Sequence, residues 1–152
     1  MTNIYNLFKF IENKEGYKTP LEYKVLNDLS SITPDDLIVN GDLNLTNRKI
    51  AKLPDNLTVR GDLYLTRASI TKLPDNLAVG RDLFVSRTKI TELPDNLKVG
   101  GNLHASYTKI NSLPVNLNIG RDLTLMDTPM SRKYTEDQLK QMLPGVKGNI
   151  FF

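Results

Sequence analysis

No cysteine occurs among the 152 residues. That excludes disulfides, thiolate metal sites and a cysteine nucleophile. The single histidine, His104, has no second histidine to join it, so neither a zinc site nor a Ser-His-Asp triad can be assembled. No stretch approaches the roughly 18 consecutive apolar residues of a membrane helix. The opening residues, MTNIYNLFKFIENKEG, lack the basic start and small-residue cleavage site of a secretory signal, so a cytoplasmic location with no membrane role is expected. Neither a P-loop nor a dinucleotide-binding glycine fingerprint is present. Together these absences point away from an enzyme, and no cofactor or metal is expected. The hydrophobic content of 39% and charged content of 24% suit a folded domain, and a net charge of +3 is too small to imply nucleic acid by itself.

What the chain does have is a repeat. SITPDDLIVNGDLNLTNRKI from Ser31 is followed without insertion by AKLPDNLTVRGDLYLTRASI, TKLPDNLAVGRDLFVSRTKI, TELPDNLKVGGNLHASYTKI and NSLPVNLNIGRDLTLMDTPM, a strict 20-residue period ending at Met130. Some columns are fixed: Leu57, Val59, Leu63, Leu65 and Ile70 recur as Leu77, Val79, Leu83, Val85 and Ile90. L-x-V followed by L-x-L is period two, so each unit carries two short strands with alternate residues inward. One unit cannot bury its own apolar edge, but stacked units make one continuous core. The proline corner (Pro54-Asp55-Asn56 and its equivalents) and the glycine corner (Gly41, Gly61, Gly80, Gly101, Gly120) supply the bends.

These units resemble the short leucine-rich repeats of bacterial proteins, in which L-P-x-x-L precedes L-x-L and x-x-N-x-L. Leu53-Pro54, Leu57, Leu63, Leu65 and Ile70 stand in those places. The asparagine place instead holds Ala68, Thr88, Thr108 and Thr128; threonine can still bond backbone there, whereas alanine cannot. The LPDNL–VxG–LxL form also resembles repeats of bacteriophage proteins, which implies a location in the host cytoplasm. Ligase effectors with similar repeats carry a large domain with a catalytic cysteine, and this chain has neither. The fold implied is a mainly β repeat solenoid, a right-handed leucine-rich-repeat coil with short parallel strands.

The open ends of a solenoid need covers. Residues 1–30 are read as a helical cap. Its first helix, over residues 3–14, buries Ile4, Leu7, Phe8 and Ile11; a second starts from a Thr19-Pro20-Leu21-Glu22 capping box and runs to about Leu29. Residues 31–130 are the five repeats. Residues 131–152 hold a helix opened by Thr135 and Gln138 with a Leu139, Met142, Leu143 stripe, then Val146–Phe152, which restates V-x-G-x-L-x-L as a truncated sixth unit.

Two outward columns vary where packing does not require it. One reads Asn44, Tyr64, Phe84, His104, Thr124; three residues on lie Asn47, Arg67, Arg87, Tyr107, Asp127. Tyr and Arg are enriched at binding hot spots. A partner-binding strip of Tyr64, Phe84, His104, Arg67, Arg87 and Tyr107 is therefore expected, although rings on a ladder can also serve the sheet alone. Since Phe84 faces outward, its truncation is expected to cost little stability. The expected function is a non-catalytic protein-binding module, with a phage-encoded inhibitor or modulator of a host protein as its specific form. The alternative is nucleic-acid binding, with the arginines on phosphates and the rings under bases. The aspartate column Asp42, Asp62, Asp82 and Asp122, with Asn102 in its fourth place, is expected to cap each corner through its own backbone; cation binding is its alternative.

Periodicity of this kind makes a direct prediction. Deleting the whole unit Ala51–Ile70 leaves a cooperatively folding protein, because each unit touches only its neighbours, while deleting ten residues destroys the register. Equal loss of the circular-dichroism transition in both deletions would contradict a solenoid.

Overall fold

The computed structural model of the protein describes residues 4–15 and 18–152, without the side chains of residues 11, 12, 14 and 15. The repeats form a parallel β-solenoid. Each contributes a first strand, β1 Ile38–Val39, β3 Thr58–Val59, β5 Ala78–Val79, β7 Lys98–Val99 and β9 Asn118–Ile119, which together form one sheet. The second strands, β2 Leu43–Asn44, β4 Leu63–Tyr64, β6 Leu83–Phe84, β8 Leu103–His104 and β10 Leu123–Thr124, form the other, with β11 Ile150–Phe151 as its sixth member. Every pair is parallel, and within the repeats each residue lies beside its equivalent one unit away, Leu63 on Leu83 and Tyr64 on Phe84 for example. The fixed columns fill the space between the sheets: Leu57, Val59, Leu63, Leu65 and Ile70 are fully buried. Only at the first unit do Leu37 and Val39 remain partly open.

Side chains reinforce the ladder, though not as the corner motif suggests. Each aspartate reaches the next unit rather than its own turn. Asp42 Oδ1 accepts from the Asp62 N–H at 2.8 Å, Asp62 from Asp82 at 2.8 Å, and Asp82 from Asn102 at 2.7 Å. Asn102 continues the series because an amide oxygen accepts as a carboxylate does, here from the Asp122 N–H at 3.1 Å. At the opposite corner Asn76 and Asn96 each donate a side-chain N–H to the asparagine one unit back, at 2.9 and 3.1 Å. The threonines in the asparagine place donate to the carbonyl three residues earlier, Thr88 to Val85 at 2.7 Å and Thr108 to Ala105 at 2.8 Å. Adjacent units approach so closely at the glycine corner that a Cβ at Gly100 would collide with the carbonyl oxygen of Gly80.

Both ends carry helices. Helix α1, Ile4–Glu15, buries Tyr5 and packs Phe8 on Tyr23 with ring centroids 4.6 Å apart, leaving Ile4, Leu7 and Phe10 exposed. The expected stripe is thus rotated. A polar clasp sets the helix's orientation: the Tyr5 hydroxyl and the Lys9 ammonium both reach Asp28 Oδ2 at 3.0 Å. The expected Ile11 position lies outside the described side chains. Helix α2, Leu21–Asn27, begins after Pro20, whose ψ of 142° is not helical, and no side chain caps it. Thr19 therefore stands one residue too early for the expected capping box and is buried instead. The helix ends at Asn27, and Leu29–Ser31 forms a 3-10 turn.

At the other end, α3 (Pro129–Lys133) and α4 (Glu136–Met142) open with capping boxes, Thr128 with Ser131 and Thr135 with Gln138. Leu139 and Leu143 are buried while Met142 is exposed. The chain then returns to the coil. Lys147 N–H donates to Ile119 O, Gly148 N–H to Arg121 O and Asn149 N–H to Asp122 Oδ1, 27 residues away rather than 20 because the helix is inserted.

The amino-terminal cap is fastened by a buried ion pair. Lys24 Nζ lies 2.9 Å from Asp36 Oδ2, with side chains only 4% and 6% exposed. Burial opposes ionisation of Asp36, but the Thr33 N–H, Lys24 and the Thr33 hydroxyl outweigh it and hold the carboxyl below its ordinary pKa. Its stabilisation is thus fully present above the unfolded value of about 3.9 and is lost as pH falls through the lower folded value. Replacing Lys24 by Met strands a buried carboxylate and should cost about 3–5 kcal/mol at pH 7. Without the ammonium the balance tips toward burial and raises the Asp36 pKa, so this deficit should narrow as pH falls and Asp36 protonates. Urea denaturation at pH 7 and pH 3 measures it; a deficit independent of pH would refute the role given to Asp36.

Candidate functional site

The outward face of the second sheet gathers the variable columns. Because neighbouring units are in register, Tyr64, Phe84 and His104 stack as a ladder. Centroids are 4.8 Å apart for Tyr64–Phe84, at 5° between planes, and 4.6 Å for Phe84–His104, at 8°. Both faces of the Phe84 ring are covered by its neighbours, so the strip offers ring edges to solvent. Its ends are pinned. The Tyr64 hydroxyl donates to Asp62 Oδ2 at 3.1 Å, and that bond, with burial, raises the phenol's pKa. His104 Nδ1 lies 3.2 Å from the Thr124 hydroxyl. All three rings are half-buried, which corrects the expectation that Phe84 contributes little to stability.

The same column extends one rung further than the five repeats indicate. Phe151 pairs beside Thr124 and stands 46% exposed on this face. The signal was present in Val146–Phe152, whose last residues restate L-x-L. Met126, 41% exposed, was equally overlooked, because its column holds Thr46, Thr66, Ser86 and Ser106 in the other units.

The second column has an unusual backbone. Asn47, Arg67, Arg87, Tyr107 and Asp127 all have positive φ, between 54° and 61°. Asparagine and aspartate tolerate this left-handed conformation; for other L-residues it costs about 1–2 kcal/mol. Where the corner geometry alone demands it, at φ values of 62° and 58°, the chain supplies Asn56 and Asn76. In this column only the two ends carry Asn and Asp, while the centre carries Arg, Arg and Tyr. The Arg87 guanidinium lies over the Tyr107 ring, 4.5 Å from its centroid. The structure thus places Tyr64, Phe84 and His104 on the outward side of the second strands, and Arg67, Arg87 and Tyr107, all exposed, in the turns three residues further on.

Elsewhere less converges. A hollow of about 520 Å³ lies beside Leu29, Ile32, Leu53 and Leu73, where Thr33 stands in a column that is otherwise leucine. Its charged residues, Lys52, Asp55, Lys72 and Asp75, balance one another. Among the described residues no group of three or more His, Asp or Glu side chains is placed to hold a metal ion. Nor, among them, is any helix long and apolar enough to cross a membrane. The chain was compared with protein-family models, curated proteins and solved structures, and none matches.

The backbone of this face predicts how its variants separate. Arg87→Asn, which suits a positive φ, should leave stability unchanged or raise it by up to about 1 kcal/mol. Phe84→Ala removes two ring contacts of about 0.5–1.5 kcal/mol each and should lower it measurably. Leu83→Ala, in the core, should cost about 2–5 kcal/mol. Thermal unfolding of the three ranks them, and destabilisation by Arg87→Asn as large as by Phe84→Ala would make that column structural.

Proposed function

We propose that the protein is a non-catalytic binding module that docks a partner protein on the outward face of its second sheet. The left-handed column carries this reading. Arg67, Arg87 and Tyr107 occupy backbone positions that asparagine or glycine would fill at lower cost, on three successive rungs. Strain held on three successive rungs, against which the fold gains only the Arg87–Tyr107 contact, points to a function of those side chains. The neighbouring ladder adds a rigid aromatic ridge whose rings are already ordered, so little entropy is lost on docking. Binding through base stacking is the weaker reading, because the faces of Phe84 are occupied by Tyr64 and His104. Likeness of the units to bacteriophage repeats supports a partner from the host cytoplasm, whose activity the docked protein would modulate.

The test compares the immobilised wild type, the double variant Arg67→Asn/Arg87→Asn and a control, Lys98→Asn, on the other sheet. Proteins that the wild type retains from host lysate should be lost from the double variant and kept by the control. A hot-spot arginine contributes about 2 kcal/mol or more, roughly 30-fold in affinity. Identical retention by all three would remove the face from consideration. Retained nucleic acid, with affinity falling steeply as salt rises, would favour the other reading.

A further inference from the structure

The charges of this face are arranged by column, and one margin is uncompensated. Arg67 and Arg87 occupy adjacent rungs about 4.7–4.9 Å apart in backbone spacing, and like charges in such positions repel. Two residues further along the chain from Arg87 and Tyr107 come Lys89 and Lys109, both exposed. None of these four cations forms an ion pair among the described residues, although Lys9, Lys24, Arg48, Lys72 and Arg132 each have one. The aspartates lie on the opposite margin beside Arg60, Arg81 and Arg121, each aspartate already accepting a backbone N–H from the next rung.

Beside the cations lies an apolar end. Tyr107 N–H donates to Met126 O, and Leu125 N–H, one residue earlier, donates to Phe151 O, so Met126 stands on the rung between those of Tyr107 and Phe151. Each is more than 40% exposed. Aromatic residues, methionine and arginine are the types enriched at the cores of protein interfaces.

Resting on the reading of this face as the docking surface, we propose that its occupant is an acidic amphipathic helix of the partner protein. The helix lies along the coil axis, with carboxylates on the Arg67–Arg87 margin and apolar side chains on Tyr107, Met126 and Phe151. Two magnitudes select a helix. Its side chains one turn apart are about 5–6 Å from one another, close to the rung spacing, so one carboxylate per turn meets one cation per rung. Same-face residues of an extended strand recur at about 6.6 Å and fall out of step. The apolar end distinguishes a protein from a nucleic acid, whose phosphates need no such anchors.

The probe is a stapled peptide with glutamate on one face of its first two turns and leucine on the same face of the turns that follow, titrated into isotope-labelled protein and followed by amide chemical shifts. The expected shifts centre on Arg67, Arg87, Tyr107 and Met126. Affinity should fall about tenfold or more with Arg67→Asn/Arg87→Asn, with Met126→Ser, and when lysine replaces each glutamate. A peptide interrupted by a central proline should bind as weakly. Equal binding of the lysine peptide at the same residues overturns the acidic partner but leaves the docking face intact. Equal binding of the proline peptide overturns the helix. Shifts confined to another surface overturn both the proposal and the face, and tighter binding of a thymidine oligonucleotide to these residues assigns the face to nucleic acid. No binding by the glutamate peptide at millimolar concentration also overturns the proposal.

Discussion

Parallel stacking in a register of 20 residues sets each side chain beside its equivalents in the adjoining units. Every residue must therefore tolerate a copy of itself, or a substitute, at the spacing of backbone hydrogen bonds. The rest of the molecule follows from which side chains can do so. Leucine, valine and isoleucine gain from it, since identical apolar groups in line leave no gap. Asparagine gains because its amide both donates and accepts, which gives the Asn56–Asn76–Asn96 ladder. Flat rings gain by stacking. Aspartate tolerates it because each Oδ1 is committed to a backbone N–H of the next rung.

Arginine does not gain. Two guanidinium groups on adjacent rungs repel, and these two also sit on a backbone suited to asparagine. The Arg67–Arg87–Tyr107 column thus conflicts with the constraint twice, electrostatically and conformationally, and Tyr107 relieves only part of it by lying against Arg87. A sequence consistent at every level would not place them there. The ring ladder has an explanation within the sheet, whereas the arginine column has only the Arg87–Tyr107 contact.

The repeat, its inward columns and its two corners were legible because one period imposes itself on every unit. So was the position of each of the six strip residues, since register follows from spacing alone. Interactions between units were less legible than those within a unit. The aspartates look like caps of their own corners, and only the stack shows that the nearer donor belongs to the next rung. Phe151 was legible as part of the truncated sixth unit, but with α4 inserted it stands 27 rather than 20 residues from Thr124, outside the columns read at fixed period. The left-handed backbone beneath Arg67, Arg87 and Tyr107 was not legible at all, because the residues that normally signal it, glycine and asparagine, are the ones replaced.

The amino-terminal cap was misread in detail because the register rule stops there. No earlier rung exists to dictate what covers the first unit, and apolar periodicity alone placed α1 with the wrong face inward. Polar pairs took over the orientation. Asp28 collects the Tyr5 hydroxyl and Lys9, and, with the Ser30 hydroxyl bonded to its other oxygen, its carboxyl is held far below the usual range. Asp36 occupies the column that holds asparagine in later units, yet it is charged and buried, which the Thr33 N–H, Lys24 and the Thr33 hydroxyl make tolerable. An apolar cap would slide on an apolar edge with little penalty. A buried carboxylate that must meet one ammonium fixes a single docking position, so specificity at this end comes from charge, whereas along the coil it comes from repetition.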